Sequence, residues 1–195
     1  MFPFLLIFIV FLLIFAYYNK KSTEKQKSVT EDFWNKEYEA NAVRKKDISS
    51  LDYITIPFEK FPQKFNTPSE EAFYALADKT ILNLNGMSNT DIKLNYGTAN
   101  LQCLSDYDTN FTSLVAVIPA YASELLDLGE KELAKMLLEF GVSCKADATK
   151  IYTLLAEIYS NENATSKIES LLTVAEELPE FPKEHIKREL QHYLP

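Results

Sequence analysis

The stretch from Leu114 to Leu178 holds one helical design twice, and this internal repeat constrains the fold more than any other feature of the chain. A shift of 34 residues overlays apolar on apolar positions and small on small positions. The matched pairs are Ala122 with Ala156, Gly129 with Asn163, Leu137 with Leu171, Leu138 with Leu172, and Gly141 with Ala175. A fixed period in this range is typical of stacked helical repeats.

Each unit of the repeat is predicted to contain two helices joined by a tight turn. Gly129 and Asn163 stand at the turns, where the chain needs a left-handed residue. Ala122 and Ala134 are small enough to let two helices approach closely. The apolar faces follow i, i+3, i+4, i+7 spacing: Leu114, Val117, Ile118, Tyr121, Ala122, Leu125 and Leu126; Leu133, Leu137, Leu138 and Phe140; Tyr152, Leu155, Ala156 and Tyr159; and Ile168, Leu171, Leu172 and Ala175.

These residues resemble the tetratricopeptide repeat, a helix–turn–helix of the same length. Matches are Ala122, Gly129 and Ala134 in the first unit, and Ala156 and Ala175 in the second. The early Trp of the family is absent, Ile168 replaces its second alanine, and Asn163 replaces its turn glycine. The resemblance covers about a third of the chain and implies an α-solenoid that binds proteins. The alternative is an ordinary helical bundle whose period is accidental.

Residues 1–18 are predicted to form an uncleaved transmembrane anchor. They carry no charge, and at ~1.5 Å per residue they span about 27 Å, close to the ~30 Å hydrocarbon core. A cleaved signal peptide is the alternative, but no basic residue precedes the run and no small-x-small cleavage site follows it. Lys20, Lys21, Lys25 and Lys27 come next, so the positive-inside rule predicts that the rest of the chain is cytoplasmic.

Residues 19–68 are predicted to be a juxtamembrane helix followed by an extended linker. Pro57 and Pro62 prevent a helix in the apolar stretch from Leu51 to Phe65. That stretch is expected to pack across the helical domain, or else to dock into its groove as a regulatory strand. The segment from Trp34 to Pro62 is similar to small membrane-anchored bacterial proteins, and this similarity implies no activity.

Residues 69–195 are predicted to be a helical domain without a sheet. One helix is expected from Ser69, as its N-cap, to Gly86, and a second from Thr90 to about Asp106. The two repeat units and a closing helix over residues 183–193 complete it. The predicted fold is therefore all-α, with an N-terminal transmembrane helix followed by a tetratricopeptide-like helical hairpin array.

Composition argues against several classes of function. Residues 48–195 hold 12 Lys/Arg against 22 Asp/Glu, and such an acidic domain repels nucleic acid. Four glycines leave no Gly-rich phosphate loop. His185 and His192 are seven residues apart and lack the HExxH spacing of a metal site. Cys103 and Cys144 belong to no CxxC motif and are expected to be small buried hydrophobes, with one disulfide as the alternative.

No catalytic constellation, cofactor site, metal site or small-molecule site is predicted, so the chain is not expected to be an enzyme. The first functional hypothesis is a membrane-anchored scaffold or adaptor whose helical array binds a protein or peptide. The alternative is a non-catalytic structural subunit of a membrane complex, which a large exposed apolar patch would favour.

Overall fold

The protein is helical, as predicted. Its computed structural model describes residues 2–194, apart from the side chains of residues 2, 3, 5 and 6. Over that range the backbone forms eight α-helices and no strand, so the all-α class is confirmed. The helices are α1 (Phe2–Ala42), α2 (Pro68–Tyr74), α3 (Asn89–Tyr96), α4 (Leu101–Asp127), α5 (Lys131–Ser143), α6 (Thr149–Asn161), α7 (Thr165–Ala175) and α8 (Glu180–Gln191).

The chain divides into two compact units. The first comprises the chain up to Asp47 together with Ser88–Leu101. The second comprises Ile48–Met87 and the chain from Gln102 onward. Helix α1 crosses the predicted boundary at residue 18, and the extended segment before residue 68 belongs to the same unit as the helical array.

The predicted transmembrane helix at residues 1–18 is wrong. Among the residues that the structure describes, no helix combines the length and the apolar character that a membrane crossing requires. Helix α1 begins at Phe2 and has no break at residue 18. Helix α1 then continues into Lys20 and Lys21. Met1 lies outside the described residues. The predicted cytoplasmic location was inferred from this transmembrane helix, so that inference no longer has its basis.

Polar contacts hold the first unit together. Lys93 of α3 forms an ion pair with Glu37 of α1 and donates to Asn41 Oδ1 at 2.9 Å. Lys36 Nζ lies 2.7 Å from Asp91 Oδ1. Ser88 and Asp91 form a capping box at the start of α3. The C-terminal part of α1 therefore packs on α3 mainly through charged and amide groups.

Two helix boundaries in the second unit differ from the prediction. The expected helix from Ser69 to Gly86 ends at Tyr74, and Thr67 rather than Ser69 is its N-cap. Residues after the following turn are extended, because Tyr53 and Leu82 form an antiparallel bridge. Helix α4 does not end near Asp106 but runs from Leu101 to Asp127, through Pro119. The buried side chains of α4 keep a helical apolar spacing on both sides of Asp106: Leu104, Phe111, Leu114 and Ile118.

The turns of the repeat have the predicted conformation. Gly129 has φ of 81° and Asn163 has φ of 55°. At each turn the next residue's N–H bonds to a carbonyl five residues back, Glu130 to Leu125 at 2.8 Å and Ala164 to Tyr159 at 2.9 Å. These are matching Schellman motifs 34 residues apart, and they satisfy the last carbonyls of α4 and α6.

The small residues of the repeat are buried within the helical array. Ala122, Ala134, Ala156 and Ala175 are fully buried, as predicted. A Cβ atom on Gly141 of α5 would lie 3.2 Å from Ile118 of α4 and 3.3 Å from Ile151 of α6. Helix α6 also packs against α7 and α8. The second unit therefore contains a continuous core that passes from α4 to α8.

The extended segment before α2 packs onto this core, which confirms the first of the two predicted alternatives. Ile56 and Phe61 are buried in the same hydrophobic cluster as the repeat helices. The ring of Phe61 meets Phe73 edge-on at 5.5 Å, and Phe73 lies 5.5 Å from Tyr121. Such burial makes the segment a permanent part of the fold.

Glu70 fastens the segment to the helices. Its buried carboxylate accepts the backbone N–H groups of Lys64 at 2.9 Å, Phe65 at 3.0 Å and Asn66 at 2.7 Å, and the Tyr121 hydroxyl at 3.2 Å. Burial alone would raise the pKa of Glu70, but these donors outweigh it and hold that pKa below its ordinary value.

We predict that Ala122→Leu and Ala156→Leu each lower the free energy of unfolding by about 1–3 kcal/mol. Each adds three heavy atoms to a filled contact, and overpacking has a cost of that size. Urea unfolding of the full chain measures the loss. Ala120→Leu, at an exposed position of α4, is the matched control. Equal effects at Ala120 and Ala122 would contradict close packing at the repeat contact.

We predict that Glu70→Gln lowers the free energy of unfolding by about 2 kcal/mol at pH 7, because it removes a charged acceptor and points an amide N–H₂ at other donors. The folded-state pKa of Glu70 is depressed, so its stabilisation is present above the unfolded pKa and disappears as pH falls through the folded value. The difference between wild type and variant should therefore shrink below about pH 4. A difference that stays constant down to acid pH would show that the carboxylate charge is not responsible.

Candidate functional site

A recess of about 390 Å³ opens in the second unit, beside the turn between the two repeat units. We name it the inter-repeat recess. Four segments line it: the extended chain at 52–55, the chain at 82–83, the end of α5, and the turn that follows α5. The lining residues are Asp52, Tyr53, Ile54, Thr55, Leu82, Asn83, Phe140, Ser143, Cys144 and Lys145.

A second hollow of about 410 Å³ adjoins the recess. Asn83 and Lys145 line both. The remaining wall of the second hollow is made by Asn85 and Gly86 and by the end of α7 at residues 177–179. The two volumes together fall in the range of ordinary ligand clefts.

The turn after α5 positions the centre of the recess. Lys145 has φ of 55°, and Ala146 N–H bonds to Gly141 O at 3.1 Å, which makes a third Schellman motif. Asn83 Nδ2 donates to Cys144 O at 3.1 Å, and Asn83 Oδ1 accepts from Asn85 N–H at 2.9 Å. The Asn83 amide therefore ties the extended wall to the repeat turn.

Charges in the recess and the adjoining hollow are mixed, with two carboxylates, Asp52 and Glu177, against one lysine, Lys145. Lys145 Nζ lies 2.7 Å from Glu177 Oε2. This contact with Glu177, supplemented by the charge of Asp52, raises the pKa of Lys145. Asp52 is exposed and has no ion pair or hydrogen bond among the described residues. One carboxylate on the rim is therefore left for a ligand.

Cys144 and Ser143 are not arranged for nucleophilic chemistry. Burial raises the pKa of the Cys144 thiol to about 11, against a smaller opposing effect of the Ser143 hydroxyl. The thiol is therefore protonated at neutral pH, and the thiolate is the reactive form. Ser143 Oγ donates to Phe140 O at 2.7 Å instead of to a base. The lining side chains suit recognition by hydrogen bonds, charge and apolar contact.

The residues that the sequence had singled out lie apart from one another. Cys103 is on α4 and Cys144 is in the recess; they do not form a disulfide, and both residues are only partly buried. His185 on α8 has its Nδ1 2.7 Å from Arg188 Nη2. No group of three metal-binding side chains occurs within residues 2–194 as described.

Sequence reasoning missed the recess. Asp52, Asn83 and Lys145 come from three separate segments and share no motif. Locally, the recess is marked only by the backbone of Lys145, which is left-handed although it is not a glycine. That conformation is visible in the structure and not in the sequence.

Comparison with known proteins identifies no relative of this chain. No family model, no curated protein and no solved structure matches it. The resemblance to the tetratricopeptide repeat therefore stays a prediction from the residues.

We predict that Cys144 is alkylated about a hundredfold more slowly than an ordinary thiol near pH 8, since its pKa is raised from 9.0 to about 11. The measurement is the rate of iodoacetamide labelling against pH in the full chain carrying Cys103→Ser. The rate should still be rising above pH 10. A plateau reached near pH 9 would show that burial does not control this thiol.

Proposed function

We propose that this protein is a non-catalytic interaction module, whose tetratricopeptide-like array binds a protein or peptide partner at the inter-repeat recess. The observation that carries the proposal is the pair of matching Schellman turns 34 residues apart, with buried alanines at equivalent positions. Stacked helix pairs of this kind build surfaces for extended ligands.

The recess supports the proposal because rigid elements surround it. Helix α5 ends at its rim, and the core behind it is closed by Gly141, Ile118 and Ile151. The opposite wall is fixed by the Tyr53–Leu82 bridge and by Asn83. A preformed surface loses little conformational entropy when a partner binds.

We predict that Ser143→Trp abolishes partner capture by the full chain, because an indole at the rim fills the recess. Ser170→Trp on α7 is the matched control, since both serines are exposed and each donates to a backbone carbonyl of its own helix. The measurement is affinity capture from the native source at low and high salt, with the bound proteins identified and quantified. Substoichiometric, salt-sensitive capture that only Ser143→Trp removes is the expected result. Capture unaffected by both changes would place the interaction elsewhere.

A second candidate function is a structural subunit, and the exposed apolar surface of α1 favours it. Phe4, Tyr38 and Trp34 are 79%, 79% and 63% exposed, and the described residues between Ile7 and Tyr18 are also exposed. Apolar surface of this extent marks a site that another molecule covers. Stoichiometric, salt-resistant recovery of one subunit, lost when Phe11 and Phe15 become serine, would support this candidate over the first.

A further inference from the structure

We propose that the inter-repeat recess takes an extended peptide segment bearing lysine or arginine, with Asp52 as the partner of its cationic group. This inference rests on the proposed function and specifies the chemistry of the partner. Three observations carry it: an open backbone edge, an unpaired carboxylate, and aromatic walls.

The open edge lies at Thr55. Ile54 N–H donates to Ile81 O at 2.9 Å, so this side of the extended segment is already paired. Neighbouring backbone groups of an extended chain point to opposite sides. Thr55 is exposed, and its N–H and C=O have no hydrogen-bond partner among the described residues. An extended peptide can pair with such an edge by strand addition.

The carboxylate of Asp52 lines the same recess as that edge. Asp52 is three residues from Thr55 in the sequence. Lys145, the lysine of the lining, forms its ion pair with Glu177 and interacts with Asp52 only through a weaker charge–charge attraction. The second unit as a whole has 11 Lys/Arg against 21 Asp/Glu. A cationic segment is therefore attracted at long range and paired at short range, whereas an acidic segment meets like charge.

The apolar walls suit the stems of long cationic side chains. Tyr53 and Phe140 are partly exposed, and both line the recess together with Ile54. Lysine and arginine bury their methylene groups along such surfaces while the charged end stays in contact with polar groups. An aromatic face adds attraction for the cation itself.

The test uses a capped peptide that alternates lysine and valine, titrated into the full chain by calorimetry at low salt. The peptide should bind, and its glutamate–valine counterpart should not. Asp52→Asn should weaken binding of the lysine peptide about tenfold, the size expected for loss of a charge-assisted hydrogen bond. Asp78→Asn, at another exposed aspartate of the same unit, is the control and should leave affinity unchanged.

Protection of the thiols locates the bound peptide. The lysine peptide should slow alkylation of Cys144, which lines the recess, and leave Cys103 unaffected. Equal effects of Asp52→Asn and Asp78→Asn, or binding without protection of Cys144, would overturn the inference. Protection that grows with protein concentration alone would assign the recess to a second copy of the chain and would also overturn it.

The failures of the two proposals are distinguishable. If Ser143→Trp removes capture of a natural partner but the lysine peptide does not bind, the recess is an interaction site and the inferred peptide chemistry is wrong. If the lysine peptide binds and protects Cys144 while Ser143→Trp leaves capture intact, the peptide chemistry holds and the proposed function is wrong.

Discussion

The second unit depends on one buried carboxylate. Glu70 accepts three consecutive backbone N–H groups that no helix or sheet would otherwise satisfy, and it also receives the Tyr121 hydroxyl from α4. Without that acceptor the partly buried hydrogen bonds of the chain at 64–66 would be lost, and a hydrogen bond to a charged group contributes about 1.5–3 kcal/mol. The same chain holds Phe61 in the core and leads back to the wall at 52–55. The extended wall of the recess therefore stays in place because a charge on α2 fixes the segment behind it.

Local signals made the repeat predictable. Gly129 and Asn163 are the residues that tolerate a left-handed turn, and the alanines mark where helices approach, so their conformations and burial follow from side-chain chemistry close in the sequence. The conformation of the extended segment before α2 was also predictable, since Pro57 and Pro62 exclude a helix. The large apolar side chains of that segment need other apolar groups to pack against. These features need no knowledge of distant residues.

The prediction was wrong where residues far apart in the sequence pair with each other. Residues 80–84 read as helix by apolar spacing, but Ile81 and Leu82 are buried by pairing with the chain near Tyr53, which lies about 28 residues away. The polar stretch near Asp106 read as a break, yet Asp108 accepts Leu84 N–H at 3.1 Å while α4 continues behind it. The recess could not be predicted from the sequence for the same reason. Its wall is formed by the Tyr53–Leu82 bridge and the Asn83 hydrogen bond, which join segments far apart in the chain.

In the proposed complex, the arrangement of charges favours binding that is selective but reversible. Backbone pairing at Thr55 offers affinity to any extended chain, and alone it would not discriminate among partners. In the proposal Asp52 would supply discrimination, because a carboxylate in the same recess attracts a cation and repels another carboxylate. Since Asp52 is exposed, salt screens its attraction over about 10 Å, so it contributes more to the choice and rate of association than to tight retention. The packed core would complement this weak attraction, because it provides a preformed wall that need not rearrange when a partner binds or leaves.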